Sequence, residues 1–209
     1  MENKEELVYK IITLGDSGVG KTSIIRRYVF KEFDINTMST LGLNFAFKEV
    51  TLKNGPKIKI KLIDTAGQEK YRSLSRSYIK NAEGVIFVFS YHDSLDKNTF
   101  DHISQWVELF NEINDTAEIQ KYLVGNKSEF KAQSHIRESE IKVLTEKIGG
   151  KFISVSAKNN ENIDTLFEDL SEMMFKNIKK KGKQKTKKIG QYNKEKKSFC
   201  DLCNEHDSK

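Results

Sequence analysis

One proline, one tryptophan and two cysteines occur in 209 residues. A single proline excludes long Pro-rich linkers. Both cysteines, Cys200 and Cys203, lie in the last ten residues. The rest of the chain carries no disulfide framework, so a stapled secreted domain is excluded. No apolar run approaches the ~20 residues of a membrane span, and the strongest, Val85–Phe89, is far shorter. The opening MENKEELVYK has no apolar stretch to serve as a signal peptide. These absences predict a soluble protein of the cytoplasmic side, long enough for one sizeable core and hardly for two.

Charge is present in quantity but unevenly placed. The net charge is +6, yet residues 176–197 alone hold eleven lysines against Glu195. The last twelve residues carry −2, which leaves the first 175 also at −2. The basicity is therefore a tail. A lysine run without arginine suits an anionic lipid surface at least as well as nucleic acid. The lipid surface is the expected partner here, not nucleic acid, with a solvated tail as the alternative.

Strand and helix patterns alternate before that tail. Leu7–Leu14 is an apolar run ending at Gly15, and Ile24–Phe30 follows as a helix. Residues 43–52 read as a strand. In Lys57–Ile63, Ile58, Ile60 and Leu62 alternate with lysines. Asn54-Gly55 between them is a hairpin signal. Short apolar strands follow at Val85–Phe89, Tyr122–Val124 and Phe152–Val155. Two helical stripes read as core: Phe100, Ile103, Val107, Phe110 and Ile113, then Ile163, Leu166, Phe167, Leu170, Met173 and Met174. This alternation predicts an α/β fold with a mostly parallel sheet covered on both faces, and one antiparallel edge strand. His92, His102 and His135 read as surface residues. Cys200, Cys203 and His206 have the spacing of half a zinc site without a second half.

Gly15-Asp-Ser-Gly-Val-Gly20-Lys21-Thr22 matches G-x-x-x-x-G-K-[ST]. Glycines let successive N–H groups turn inward around a phosphate, and a helix opening near Gly20 aims its positive end at it. Lys21 bridges the outer phosphates and the Thr22 hydroxyl suits Mg²⁺. The loop alone leaves kinases, ATPases and GTPases open. Three further segments lie at strand ends: Asp64-Thr-Ala-Gly67-Gln68-Glu69, Asn126-Lys127-Ser128-Glu129, and Ser156-Ala157-Lys158. An acid such as Asp64 reaches Mg²⁺ through water, the Gly67 N–H bonds a terminal phosphate, and Gln68 orients an attacking water.

Taken together, these segments resemble a small GTPase of the Ras superfamily, most closely its Rab branch, over about residues 7–178. The resemblance implies a P-loop NTPase (Ras-like) fold, a six-stranded mixed, mostly parallel sheet with about five helices. It implies a GTPase domain over 1–178 and a flexible Lys-rich tail over 179–209. Ser17, Gly18, Val19, Gly20, Lys21, Thr22 and Ser23 would surround the phosphates. Thr22 and Thr40 would ligate Mg²⁺, with Asp64 acting through water, and Phe33 would pack on guanine. Asn126, Lys127 and Glu129 would read the base with Ser156, Ala157 and Lys158. Catalysis would rest on Gln68, Lys21 and Thr40. Segments 33–45 and 66–79 would be the mobile switches. Phe45 and Tyr78 match aromatics that effectors read, or are core aromatics. The implied partners are GTP and GDP, exchange and GTPase-activating proteins, and effectors. The implied role is a slow GTP hydrolase switching vesicle traffic on the cytosolic face of endomembranes. A nucleotide-stabilised binding module that cycles little is the alternative.

The chain departs from that pattern at four places. Glu129 stands for the usual Asp of the base motif. Ile63 stands for Trp in the Rab aromatic triad. The connection from Phe89 to Phe100 is longer than usual, with Ser90 in place of Asp. Residues follow Cys203, and a C-a-a-X box would need cysteine where His206 stands, so Cys200 and Cys203 are only possible lipidation sites.

Overall fold

The computed structural model describes residues 8–34, 43–53, 55–65, 79–92, 96–114 and 118–177. The chain divides into two units, Met1–Met174 and Phe175–Lys209. The fold described here belongs to the first.

Six strands form one sheet in the order β2-β3-β1-β4-β5-β6. They are β1 (Val8–Leu14), β2 (Leu43–Thr51), β3 (Lys57–Thr65), β4 (Gly84–Ser90), β5 (Gln120–Asn126) and β6 (Lys151–Ser154). β2 runs antiparallel to β3, with Phe45 opposite Ile63 and Thr51 opposite Lys57. The pairings β1–β3, β1–β4, β4–β5 and β5–β6 are parallel. This is the mixed, mostly parallel sheet with an antiparallel edge that the alternation predicts. The paired ends of β2 and β3 fit the hairpin, although Asn54 lies outside the described residues.

Helices connect the strands: α1 (Lys21–Phe30), α2 (Asp96–Asp101), α3 (Ile103–Ile113) and α4 (Glu138–Ile148). A last helix, α5, begins at 163 and is described to 177. Every residue of β4 is buried, as expected for a central parallel strand covered on both faces. In β3, Ile58, Ile60 and Leu62 are buried while the intervening lysines reach solvent, so the strict alternation does sort its faces. On α3, Ile103 and Phe110 are buried, with Val107 and Ile113 packed against the same core. On α5, Ile163, Leu166, Phe167, Leu170 and Met174 are buried and Met173 is half-buried. The Phe167 ring stacks on Tyr28 of α1 with centroids 4.0 Å apart.

Element ends move by a residue or two where hydrogen bonds outrun the apolar run. β5 continues to Asn126, opposite Ser90 of β4. Val155 leaves the β6 ladder, yet its N–H still donates to the Gly125 carbonyl at 2.9 Å. Two elements carried no strong sequence signal: α4, whose buried Ile141, Leu144 and Ile148 sit among charged residues, and a 3₁₀ turn over Ser128–Gln133.

Candidate functional site

The carboxyl ends of β1, β3, β5 and β6 converge, where ligands bind in open α/β sheets. β1 and β3 are locked together at this edge. The Thr13 hydroxyl donates to the Ile63 carbonyl at 3.1 Å, and the Thr65 hydroxyl donates to the Thr13 carbonyl at 2.7 Å. That pair fixes the Gly15–Gly20 loop beside Asp64.

The loop requires glycine at both ends. Gly15 has φ +148°, and a Cβ there would lie 2.2 Å from the Val88 carbonyl oxygen. Gly20 has φ +93°, and a Cβ would lie 2.3 Å from the Asn126 amide nitrogen. Gly20 offers no side-chain cap to α1, and the positive end of the helix meets the loop there. Ser17 and Gly18 are exposed, Val19 is buried, and Gly20, Thr22 and Ser23 are half-buried.

Lys21 is only 5% exposed. Its ammonium donates to the carbonyls of Gly15 at 2.9 Å and Asp16 at 2.8 Å, at the inside of the loop. Burial pulls its pKa down to about 8, against the opposing pull of the Asp64 and Asp16 carboxylates. The Thr22 hydroxyl donates to Asp64 Oδ2 at 2.7 Å. Asp64 is itself buried, which raises its pKa, while the Thr22 bond and Lys21 hold it down. Its Oδ1 is buried without a hydrogen-bond partner among the described residues. A hydroxyl beside a carboxylate with a spare oxygen is an all-oxygen donor set, the chemistry Mg²⁺ takes with few protein ligands and several waters. The residues fit that ion.

A phosphate bound beside Lys21 would favour its charged form, so such binding would raise this pKa. Below about pH 8, bound and free proteins both keep the proton, and affinity is flat with pH. Above it, only the bound form keeps the proton, so GDP affinity is expected to fall by up to ~10-fold per pH unit. Calorimetric titration at pH 7–9.5, in two buffers of different ionisation enthalpy, reads the proton uptake. Flat affinity with no uptake would exclude it.

On the far side of the loop, Asn126 joins three segments. Its amide nitrogen donates to the Val19 carbonyl at 2.8 Å, and its amide oxygen accepts the Ala157 N–H at 3.3 Å. The Ser156 hydroxyl donates to Glu129 Oε2 at 2.6 Å, so the glutamate faces the 156–158 loop. Lys127 is half-buried in a left-handed conformation, φ 61°, and burial lowers its pKa against the pull of Glu129. Arg27 of α1 supports the same loop, with Nε to the Ala157 carbonyl at 2.8 Å and a terminal nitrogen to the Lys158 carbonyl at 3.0 Å. Its guanidinium also lies 5.7 Å from the centre of the half-buried Phe33 ring.

The structure thus brings together Lys21, Thr22 and Asp64 on one side and Asn126, Lys127, Glu129, Ser156, Ala157 and Phe33 on the other. Thr40, Gly67, Gln68, Tyr78, Cys200, Cys203 and the lysine tail lie outside the described residues, as does most of both switch segments. Phe45 is 60% exposed, against the core alternative, while Ile63 is buried in the core. Residue-by-residue matching missed Arg27, Asp16, His102 and Trp106. The carboxylate of Asp16 bonds Trp106 and His102, and no short sequence motif links residues so far apart.

A family model described as the Ras family matches residues 10–176. The chain is 37% identical over 172 residues to the Ras-related protein SEC4 of Saccharomyces cerevisiae, covering 82% of this chain and 77% of that protein. It is 38% identical over 166 residues to the Ras-related protein Rab-11B of Dictyostelium discoideum, covering 79% and 73%. It is 34% identical over 164 residues to the Ras-related protein Rab-13 of Bos taurus, covering 78% of each.

Proposed function

This chain belongs to the Ras family as a Rab-like, GTP-hydrolysing switch of vesicle trafficking, and from that premise we propose how its residues run the cycle. Lys21 and the N–H groups from Ser17 to Ser23 hold the phosphates. Thr22 and Thr40 hold Mg²⁺, with Asp64 acting through water. The ion, when bound, neutralises charge on the outer phosphates. Gln68 orients the attacking water, and the Gly67 N–H senses the third phosphate, as the switches over 33–45 and 66–79 require. The base packs on Phe33 and is read by Lys127, Glu129 and the Ala157 N–H, with Asn126, Ser156 and Lys158 completing that pocket. The observation that carries this reading is the 2.7 Å bond between Thr22 and Asp64, with the spare buried Asp64 oxygen beside Lys21.

Single-turnover cleavage of bound GTP tests it, run with wild type and Gln68→Leu and with ATP as a competitor. Wild type is expected to cleave slowly, Gln68→Leu at least ~10-fold more slowly, and ATP to compete poorly. Equal inertness of both proteins, even with an activating protein, would favour the binding module that cycles little. Effective competition by ATP would overturn the guanine assignment.

Exchange and activating proteins act on the switches, and effectors engage them together with Tyr78 and with Phe45, which is exposed. Among the described residues, no helix is long and apolar enough to cross a membrane. The 179–209 tail acts as a separate segment that attracts the chain to the anionic cytosolic face of endomembranes, with Cys200 and Cys203 as lipid acceptors. Each lysine near such a surface contributes about 1 kcal/mol. Binding to phosphatidylserine vesicles is expected to fall steeply with salt and to vanish on deletion of 179–209. Unchanged binding after the deletion would exclude the tail.

A further inference from the structure

Asp16 makes contacts in two directions. Its backbone carbonyl accepts from the Lys21 ammonium at 2.8 Å, inside the phosphate loop. Its carboxylate turns the other way, to α3. There Oδ1 accepts from Trp106 Nε1 at 2.8 Å, and Oδ2 lies 2.6 Å from His102 Nδ1, which donates because an ionised carboxylate only accepts. His102 and Trp106 stand one helical turn apart, so both side chains reach one carboxylate. Trp106 is buried, and the neighbouring Ile103 and Phe110 fix α3 in the core. The His102 side chain is 48% exposed, so the surface position read from sequence also carries this bond. A rigid helix therefore grips the residue whose carbonyl holds the phosphate-binding lysine.

We propose that Trp106 and His102 are positioning residues for nucleotide binding, acting through Asp16. A loop with three positive-φ glycines loses much conformational freedom when it closes around phosphates. Anchoring Asp16 from α3 removes part of that loss beforehand, as preorganisation does generally. The gain appears as slower nucleotide release, since changes within one site act mostly on the off-rate. Trp106 is the chain's only tryptophan, so tryptophan emission reports on this one site. The proposal rests on guanine-nucleotide binding, which the wild-type control checks separately.

The experiment follows release of a fluorescent GDP from the Mg²⁺-loaded full chain. Trp106→Phe keeps a ring and loses the N–H donor, and is expected to speed release about 5-fold. Asp16→Ala is expected to speed it about 20-fold. In the Asp16→Ala background, Trp106→Phe should add less than ~2-fold, whereas a packing role would act equally in both backgrounds. His102→Ala should speed release about 3-fold, and His102→Gln, which keeps a donor, should restore most of it. Tryptophan emission should shift when EDTA strips the nucleotide from wild type, and not from Asp16→Ala. Wild-type release from Trp106→Phe, or equal acceleration in both backgrounds, would overturn the proposal. Failure of the wild type to retain GDP would instead overturn the nucleotide reading beneath it.

Discussion

Lys21→Ala is expected to weaken GDP and GTP binding by about 10²–10³-fold while the sheet stays folded. The ammonium is the buried cation at the phosphate loop, held at the carbonyls of Gly15 and Asp16. Removing one partner of a buried, hydrogen-bonded charge pair costs about 2–5 kcal/mol, and each 1.4 kcal/mol is tenfold. The loss has a second part. Lys21 is one of the influences holding the Asp64 pKa down against burial. Without it that carboxyl rises further, and a protonated Asp64 is a poor partner for Mg²⁺. Arginine is no substitute, since its planar fork does not fit a pocket shaped for a compact ammonium. Thr22→Asn leaves the lysine in place and disturbs the proposed Mg²⁺ ligand, so it should hurt GTP more than GDP. Equilibrium titration with fluorescent GDP and a GTP analogue, beside circular dichroism for the fold, separates the two. A loss under ~10-fold in Lys21→Ala, or equal loss of both nucleotides in Thr22→Asn, would contradict these roles.

Much of this site was legible because its chemistry sits in short strings at strand ends. An apolar run into Gly15, then glycines, Lys21 and Thr22, carries its own structural context. The alternation of β3 carries Asp64 to the same edge. The Thr22–Asp64 bond follows from two motifs that each announce themselves. The supports were not legible. Asn126 reads as a base contact, but in the fold its amide ties Val19 to Ala157 across segments remote in sequence. Arg27 lies in an ordinary amphipathic helix, and only the fold brings its guanidinium to the Ala157 carbonyl. Trp106 sits next to the stripe residue Val107, and nothing in a period of 3.6 says that its N–H reaches Asp16. Ile63, which stands where the resemblance places a Trp, is buried because its strand pairs with both β1 and β2. Local pattern fixes what a residue can do, and long-range packing decides which neighbours it does it with.

Gly20→Ala tests that long-range packing directly, with an expected loss of about 10²-fold in GDP affinity. Two costs combine at this position. An L residue at φ +93° loses roughly 1–2 kcal/mol from the left-handed backbone alone. Its Cβ would also lie 2.3 Å from the Asn126 amide nitrogen, far inside contact distance. The amide must move, and the 2.8 Å bond to the Val19 carbonyl goes with it, at about 0.5–1.5 kcal/mol plus the penalty of an unpaired buried carbonyl. Asn126→Ala removes the same bond without the backbone strain, and should weaken GDP about 10-fold. The double variant decides between the two costs. With alanine at 126 the clash is gone, so Gly20→Ala should then cost only its backbone strain, again about 10-fold. The measured loss for Gly20→Ala alone must therefore exceed its loss in the Asn126→Ala background by several-fold. Equal losses in the two backgrounds would mean that the phosphate loop and the base loop do not share this contact, and that Asn126 acts on the base alone.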